Sequence, residues 1–180
     1  MNRRISMLGF VVTVGLVAIA SEVFAQAPGQ GRGAAPGAPT APAPPNAPPP
    51  GPAYAEAQKA LGAAWASAEK INVKLSCAVV DSRGDLVALG RMDGARFVTT
   101  YVARGKALTS AVFGRPSGDM GQFATSQFFQ NVNTAAQGRL YPIQGAVPIM
   151  ENNQLLGAIG CSGATAQQDE DAAKAGAATF

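Results

Sequence analysis

The chain has 180 residues and no histidine, and that single absence closes several routes to chemistry. No Ser-His-Asp or Cys-His nucleophilic site can be assembled. No zinc or haem iron can be held through imidazole. Cysteine is nearly as scarce. Cys77 and Cys161 are the two in the chain, which is too few for a four-cysteine metal site. Charged residues make up 14% of the chain, and they form no basic cluster of the kind that nucleic-acid binding requires. There is no Walker-type phosphate loop and no Gly-x-Gly-x-x-Gly turn after a strand. Proline is unevenly spread. Of 13 prolines, ten fall between Gln26 and Ala53, and only Pro116, Pro142 and Pro148 follow.

What is present divides into three parts. Arg3 and Arg4 precede an apolar stretch from Met7 to Ala20, and Val23-Phe24-Ala25 fits a small-x-small cleavage pattern. Residues 1–25 therefore read as a signal peptide cut near Ala25, with a periplasmic or secreted mature protein as the expectation. Residues 26–53 are almost entirely Pro, Ala and Gly with one charge, Arg32. Proline fixes φ and lacks an N–H, so this part reads as an extended, disordered linker. Residues 54–180 are one domain's worth of chain. They carry eleven basic and ten acidic residues, a balance close to neutral, so the overall pI of 9.1 owes much to the first 53 residues.

Within the third part the periodicities alternate. Tyr54, Ala57, Leu61, Trp65, Ala68 and Ile71 recur at helical spacing. Leu75 to Val80 and Leu86 to Leu89 flank a turn, Asp81-Ser82-Arg83-Gly84-Asp85, and predict a hairpin. A second helix is predicted over 97–113, its buried face made of Val98, Tyr101, Val102, Leu108, Thr109 and Val112. Gly114 and Pro116 stop it. Ser117 is placed to cap a third helix through Met120, Phe123, Phe128 and Asn131. Ala146 to Met150 and Leu155 to Cys161 form a second hairpin about Asn152-Asn153. Thr165 with Gln168 is a capping box opening a last helix toward Ala178. Two hairpins among four helices predict an α+β sandwich with helices packed on one antiparallel sheet of four to five strands.

Chemistry could sit in few places. The glycines at 157, 160 and 163 read first as tight packing and second as a ligand-facing wall. Asp169-Glu170-Asp171 reads as first-turn helix charge. Arg91, Asp93, Arg104 and Lys106 cluster in sequence around the second helix. The arginines could grip an anion through their planar forks and Lys106, on a partly apolar flank with its stem half buried, as a point charge. The competing reading pairs Arg91 with Asp93 and leaves the helix cations in solvent. Candidate iron ligands are Tyr101, Tyr141, Met92, Met120, Met150 and the cysteines, each more often a core residue. Both cysteines fall in predicted strands and read as free buried thiols, with a structural disulfide as the alternative.

Four segments together resemble the GlcG/HbpS-like haem-binding family, also called haem-degrading or DUF336 domains. They are Ala78-Val79-Val80-Asp81-Ser82-Arg83-Gly84, Arg91-Met92-Asp93-Gly94-Ala95, Ala103-Arg104-Gly105-Lys106-Ala107 with Phe113-Gly114-Arg115-Pro116-Ser117, and Gly157 to Ala164 with Gln168-Asp169-Glu170. Their order and spacing span nearly all of 54–180. The resemblance implies a profilin-like sandwich, self-assembly into homo-oligomers, and haem or a related tetrapyrrole as ligand. It also implies a role in haem sequestration, or in sensing through a membrane sensor or receptor partner. Relatives commonly carry Gly-Gly-x-Pro-Ile where this chain has Gln144-Gly145-Ala146-Val147-Pro148-Ile149. Motif match and charge placement together nominate Arg91, Asp93, Tyr101, Arg104, Lys106 and Gly145 as ligand contacts. With no histidine, iron contact would fall to Thr, Tyr, Met or Cys. A binding protein is expected rather than an enzyme. The rival readings are an enzyme or enzyme accessory for small organic acids built on Lys106, and an oligomeric interaction module without ligand.

Overall fold

The structure is a computed structural model, and it describes residues 51–180. The expected signal peptide and nearly all of the expected linker lie outside the described residues. Helix α1 runs Tyr54–Lys70, and strands β1 (Ser76–Asp81) and β2 (Leu86–Arg91) form the first hairpin. Helix α2 runs Val98–Phe113 and is followed by a 3₁₀ segment, Ser117–Phe123, and helix α3, Gln127–Ala135. Strands β3 (Ala146–Glu151) and β4 (Gln154–Ser162) form the second hairpin, and α4 (Ala166–Ala177) follows.

The two hairpins join through their inner strands. The sheet order is β2-β1-β4-β3, antiparallel throughout, with Cys77 opposite Cys161 and Val79 opposite Ile159. Asn152 and Asn153 turn the second hairpin with φ of 47° and 65°, the left-handed pair that matches strand twist. Because side chains alternate across a strand, the sheet has two different faces. One carries Cys77, Val79, Ile149, Ile159 and Cys161 against Ala57, Leu61, Ala64, Ala172 and Ala173 of α1 and α4. The other carries Val80 and Ala158 against Ala107 and Ala111 of α2. The sandwich is thus helix pair, sheet, single helix.

The second face explains a correction. The expected buried stripe of α2 included Val98, Tyr101 and Val112, yet these are 45%, 67% and 44% exposed. Ala103, Ala107 and Ala111 are buried in their place. The strand beneath them decides this. A Cβ on Gly160 would lie 2.6 Å from the Ala103 carbonyl oxygen and 2.7 Å from the Ala107 nitrogen. Helix and sheet meet backbone to backbone, and only alanine-sized side chains fit between them. Of the two readings of this glycine-rich strand, close packing is the one seen at Gly160.

Two further expectations change. The third helix is divided: Ser117 does not cap it but donates its hydroxyl to the Ile143 carbonyl at 2.6 Å, while Ser126 caps α3 by accepting from Phe129 N–H at 3.2 Å. The cysteines, read as free thiols, form a disulfide between β1 and β4. They face each other in register, and the Cys161 N–H bonds to Gly145 on the other side of the strand. The cysteines are therefore a non-hydrogen-bonded pair, the closer of the two antiparallel spacings, with Cα atoms 4.1 Å apart. The Thr165–Gln168 capping box forms as expected.

Candidate functional site

The outward face of α2 builds the site. Tyr101, Arg104, Gly105 and Leu108 follow at three- and four-residue intervals, so one stripe of the helix carries them all. The segment 138–141 lies alongside and adds Gly138, Arg139 and Tyr141, enclosing a groove of about 150 Å³. Gly105 makes the fit possible: a Cβ there would sit 2.8 Å from Cγ of the Tyr141 ring. The segment is tied down from below. Thr109 Oγ1 accepts from Tyr141 N–H at 2.7 Å and donates to the Gly105 carbonyl at 2.8 Å. Asn133 Oδ1 accepts from Leu140 N–H at 3.0 Å, and Leu140 is buried with Leu108, Met120 and Phe129. Neither tyrosine hydroxyl has a protein hydrogen-bond partner among the described residues. The two guanidinium groups face no carboxylate among the residues that line the groove.

The three cations singled out in the sequence do not converge. Lys106 lies two residues beyond Arg104, about 200° around the helix, and points inward. Its side chain is 3% exposed, and Nζ donates to Asp169 Oδ2 at 2.8 Å and to the Cys161 carbonyl at 3.2 Å. The half-buried lysine expected on this flank is fully enclosed. Asp169 likewise does more than answer the dipole of α4. It is buried, and its Oδ1 accepts from Ala164 N–H at 3.0 Å. Burial raises its carboxyl above the ordinary carboxylate range, against the opposing hydrogen bond from Lys106. Gly145 closes over this pair at φ 134°, where a Cβ would lie 2.5 Å from Lys106 Nζ. Lys106 and Gly145 are thus brought together, inside the protein.

Arg91 and Asp93 lie elsewhere, in a second depression of about 390 Å³ with Trp65, Glu69, Lys74 and Met92. The expected Arg91–Asp93 pair is replaced by an Arg91 Nη1 bond to the Ala95 carbonyl at 2.7 Å. Two cations and two carboxylates balance there. Tyr101 and Arg104 alone, of the nominated residues, share the α2 groove. Arg139 was missed, since no periodicity marks a loop residue. Among the described residues no group of three or more His, Cys, Asp or Glu side chains is placed to hold a metal ion.

The fold class is thus a three-layered α+β sandwich, with a groove of cationic and phenolic groups on the helix that covers one sheet face alone. Residues 53–178 match the family described as haem degrading protein HbpS-like, and the chain belongs to that family. It is 34% identical over 100 residues to the protein GlcG of Escherichia coli K12, covering 53% of this chain and 69% of GlcG. The crystal structure of Klebsiella pneumoniae ORFY, a DUF336 protein, superposes with a TM-score of 0.66 at 27% identity over 72% of this chain and 90% of ORFY. The PduOC–haem complex superposes with a TM-score of 0.65 at 21% identity over 72% and 95%, a likeness of fold.

Proposed function

We propose that this protein is an exported carrier or sensor of haem or a related tetrapyrrole, and that the ligand lies across the α2 groove. The observation that carries the reading is the groove's chemistry. Arg104 and Arg139 flank it without lining carboxylates, Tyr101, Tyr141 and Leu108 offer ring and aliphatic surface, and Gly138, with nothing within 4 Å of where a Cβ would stand, lets a flat molecule come close. That combination suits a planar, largely apolar ligand with carboxylate substituents, because arginine grips carboxylates bidentately. Membership of a family described as haem degrading, and a fold shared with a protein solved with haem, support the same ligand. The groove's volume of about 150 Å³ is below the roughly 300–1,000 Å³ that engulfs a ligand. A macrocycle would keep one face uncovered. Phe97, one turn before Tyr101, is 74% exposed and extends the apolar surface on which a second copy of the chain could cover that face.

Export has two supports. The first 25 residues read as a signal peptide, and the Cys77–Cys161 disulfide fits an oxidising compartment. No helix among the described residues is long and apolar enough to cross a membrane. The organic-acid reading put a desolvated Lys106 in the ligand pocket; Lys106 is paired with Asp169 and does not line the groove.

The test is a haem titration of the full mature chain, read by visible absorbance and by size-exclusion chromatography together. A saturable spectral shift on a discrete protein peak is expected. Arg104→Ala with Arg139→Ala should weaken binding roughly 10- to 100-fold, the loss of about one charge-assisted contact. A linear, unsaturated titration, or unchanged affinity in the double variant, overturns the reading.

A further inference from the structure

We propose that Tyr101 is the iron ligand of this chain, so that the groove selects a ferric tetrapyrrole over the metal-free macrocycle. The assignment deepens the reading above and rests on it. It follows from which side chains of the groove can bind ferric iron, set beside the cysteines, methionines and remaining tyrosine of the described residues. There is no histidine. Both cysteines are consumed in a disulfide that is 0% exposed. Met92 and Met120 are buried, and Met150, although exposed, lies on edge strand β3 and does not line the groove. Tyr54 opens α1, on the opposite side of the sheet from α2. Among the residues that line the groove, only Tyr101 and Tyr141 carry an atom that coordinates iron.

The two phenols are not equivalent. Tyr141 is half buried, its ring is held against Gly105, and its backbone is fixed by Thr109. Tyr101 is 67% exposed on a regular helix, and its hydroxyl has no protein partner among the described residues. It can turn about its side-chain torsions to meet a metal at the groove's mouth. Tyr141 then serves as a fixed wall for the macrocycle. Arg104, one helical turn beyond Tyr101, supplies a cation on the same stripe. The step is simple ligation. The Tyr101 oxygen forms a bond to Fe(III), its phenolic proton passes to solvent, and no electron moves. Phenolate is an established haem ligand in principle.

The experiment compares ferric haem with iron-free protoporphyrin on the full mature chain and on Tyr101→Phe and Tyr141→Phe, using absorbance and resonance Raman spectra. The wild type should bind haem at least about tenfold more tightly than protoporphyrin and show iron-phenolate vibrations. Tyr101→Phe should lose those vibrations and the preference for iron, while its affinity for protoporphyrin stays within about twofold. Tyr141→Phe should keep the iron-phenolate signature. Equal wild-type affinity for both macrocycles would leave the groove reading standing and overturn the ligand. So would an iron-phenolate signature that survives in Tyr101→Phe. Binding of neither macrocycle would overturn both.

Discussion

Lys106→Met isolates the buried ion pair beneath the site. Methionine keeps the length and much of the volume of the lysine stem, so the change removes the charge without opening a large cavity. It leaves Asp169, with a side chain 4% exposed, facing no cation where one now stands 2.8 Å away. Breaking such a pair from one side costs about 3–5 kcal/mol. For a domain of this size each kcal/mol moves the midpoint by roughly 3–5 °C, so Tm should fall by about 10–20 °C. The pH dependence gives the cause. Burial already raises Asp169 above its ordinary value of 3.8, while the Lys106 hydrogen bond opposes the rise. Removing Lys106 raises it further. A carboxyl whose folded value exceeds its unfolded value stabilises the fold most below the unfolded value, and that contribution is lost as pH rises through the folded value. The deficit of Lys106→Met should therefore be largest near neutral pH and shrink on acidification toward about pH 4. Adding Asp169→Asn should recover most of the loss at neutral pH. Its oxygen can still accept from Ala164 N–H, and no charge is left buried. Thermal melts of the wild type, Lys106→Met and the double variant across this pH range provide the check. A Tm loss below about 3 °C, a loss independent of pH, or a double variant no better than the single would refute the argument.

Four other outcomes follow from the packing. Replacing both Cys77 and Cys161 by alanine should cost roughly 2–5 kcal/mol, because the bridge closes a separation of 84 residues; an unchanged denaturant midpoint would contradict this. Since both cysteines are 0% exposed, dithiothreitol should release thiols titratable by a chromogenic reagent only when denaturant is present, and thiols appearing in the native protein would count against the described burial. Gly160→Ala should destabilise by about 1–3 kcal/mol or more, since its Cβ would meet α2 backbone at 2.6 Å. By contrast Gly62→Ala, on the solvent-facing side of α1 with nothing within 4 Å of the added Cβ, should stabilise by roughly 0.5–1 kcal/mol. Melts that gave both alanine variants the same sign would refute the packing account.

What could be read in the sequence was local. The hairpin turn at Asn152-Asn153 and the Thr165–Gln168 box depend on residues within a few positions of one another, and both form where the residues put them. The cysteine pairing depended on β1 lying beside β4, across a long stretch of intervening chain, and strand composition does not encode that neighbour. Lys106 was legible as unusual but not as buried. Its partner, Asp169, is 63 residues away and looked like an ordinary first-turn acid. Arg139 and Tyr141 sit in a loop whose position is set by Thr109 and Asn133, so their contribution to the groove appears only with the tertiary contacts.

The orientation of α2 joins fold to function. Its sequence offers two apolar stripes. One contains Val98, Tyr101 and Val112, and the other Ala103, Ala107 and Ala111. Hydrophobicity alone favours burying the larger side chains. The sheet face beneath reverses that preference, because at Gly160 and Ala158 there is no depth to receive them. The sequence did carry the signal, as alanines at four-residue spacing facing a Gly-Ala strand. Close packing inside therefore leaves Phe97, Val98 and Tyr101 outside, next to Arg104. That is the apolar surface on which the proposed ligand would lie. The small residues of the interior and the aromatic residues of the groove are two sides of one packing decision. On this account, a variant that deepened the sheet's seat enough to turn α2 over would bury Tyr101 and abolish the groove with it.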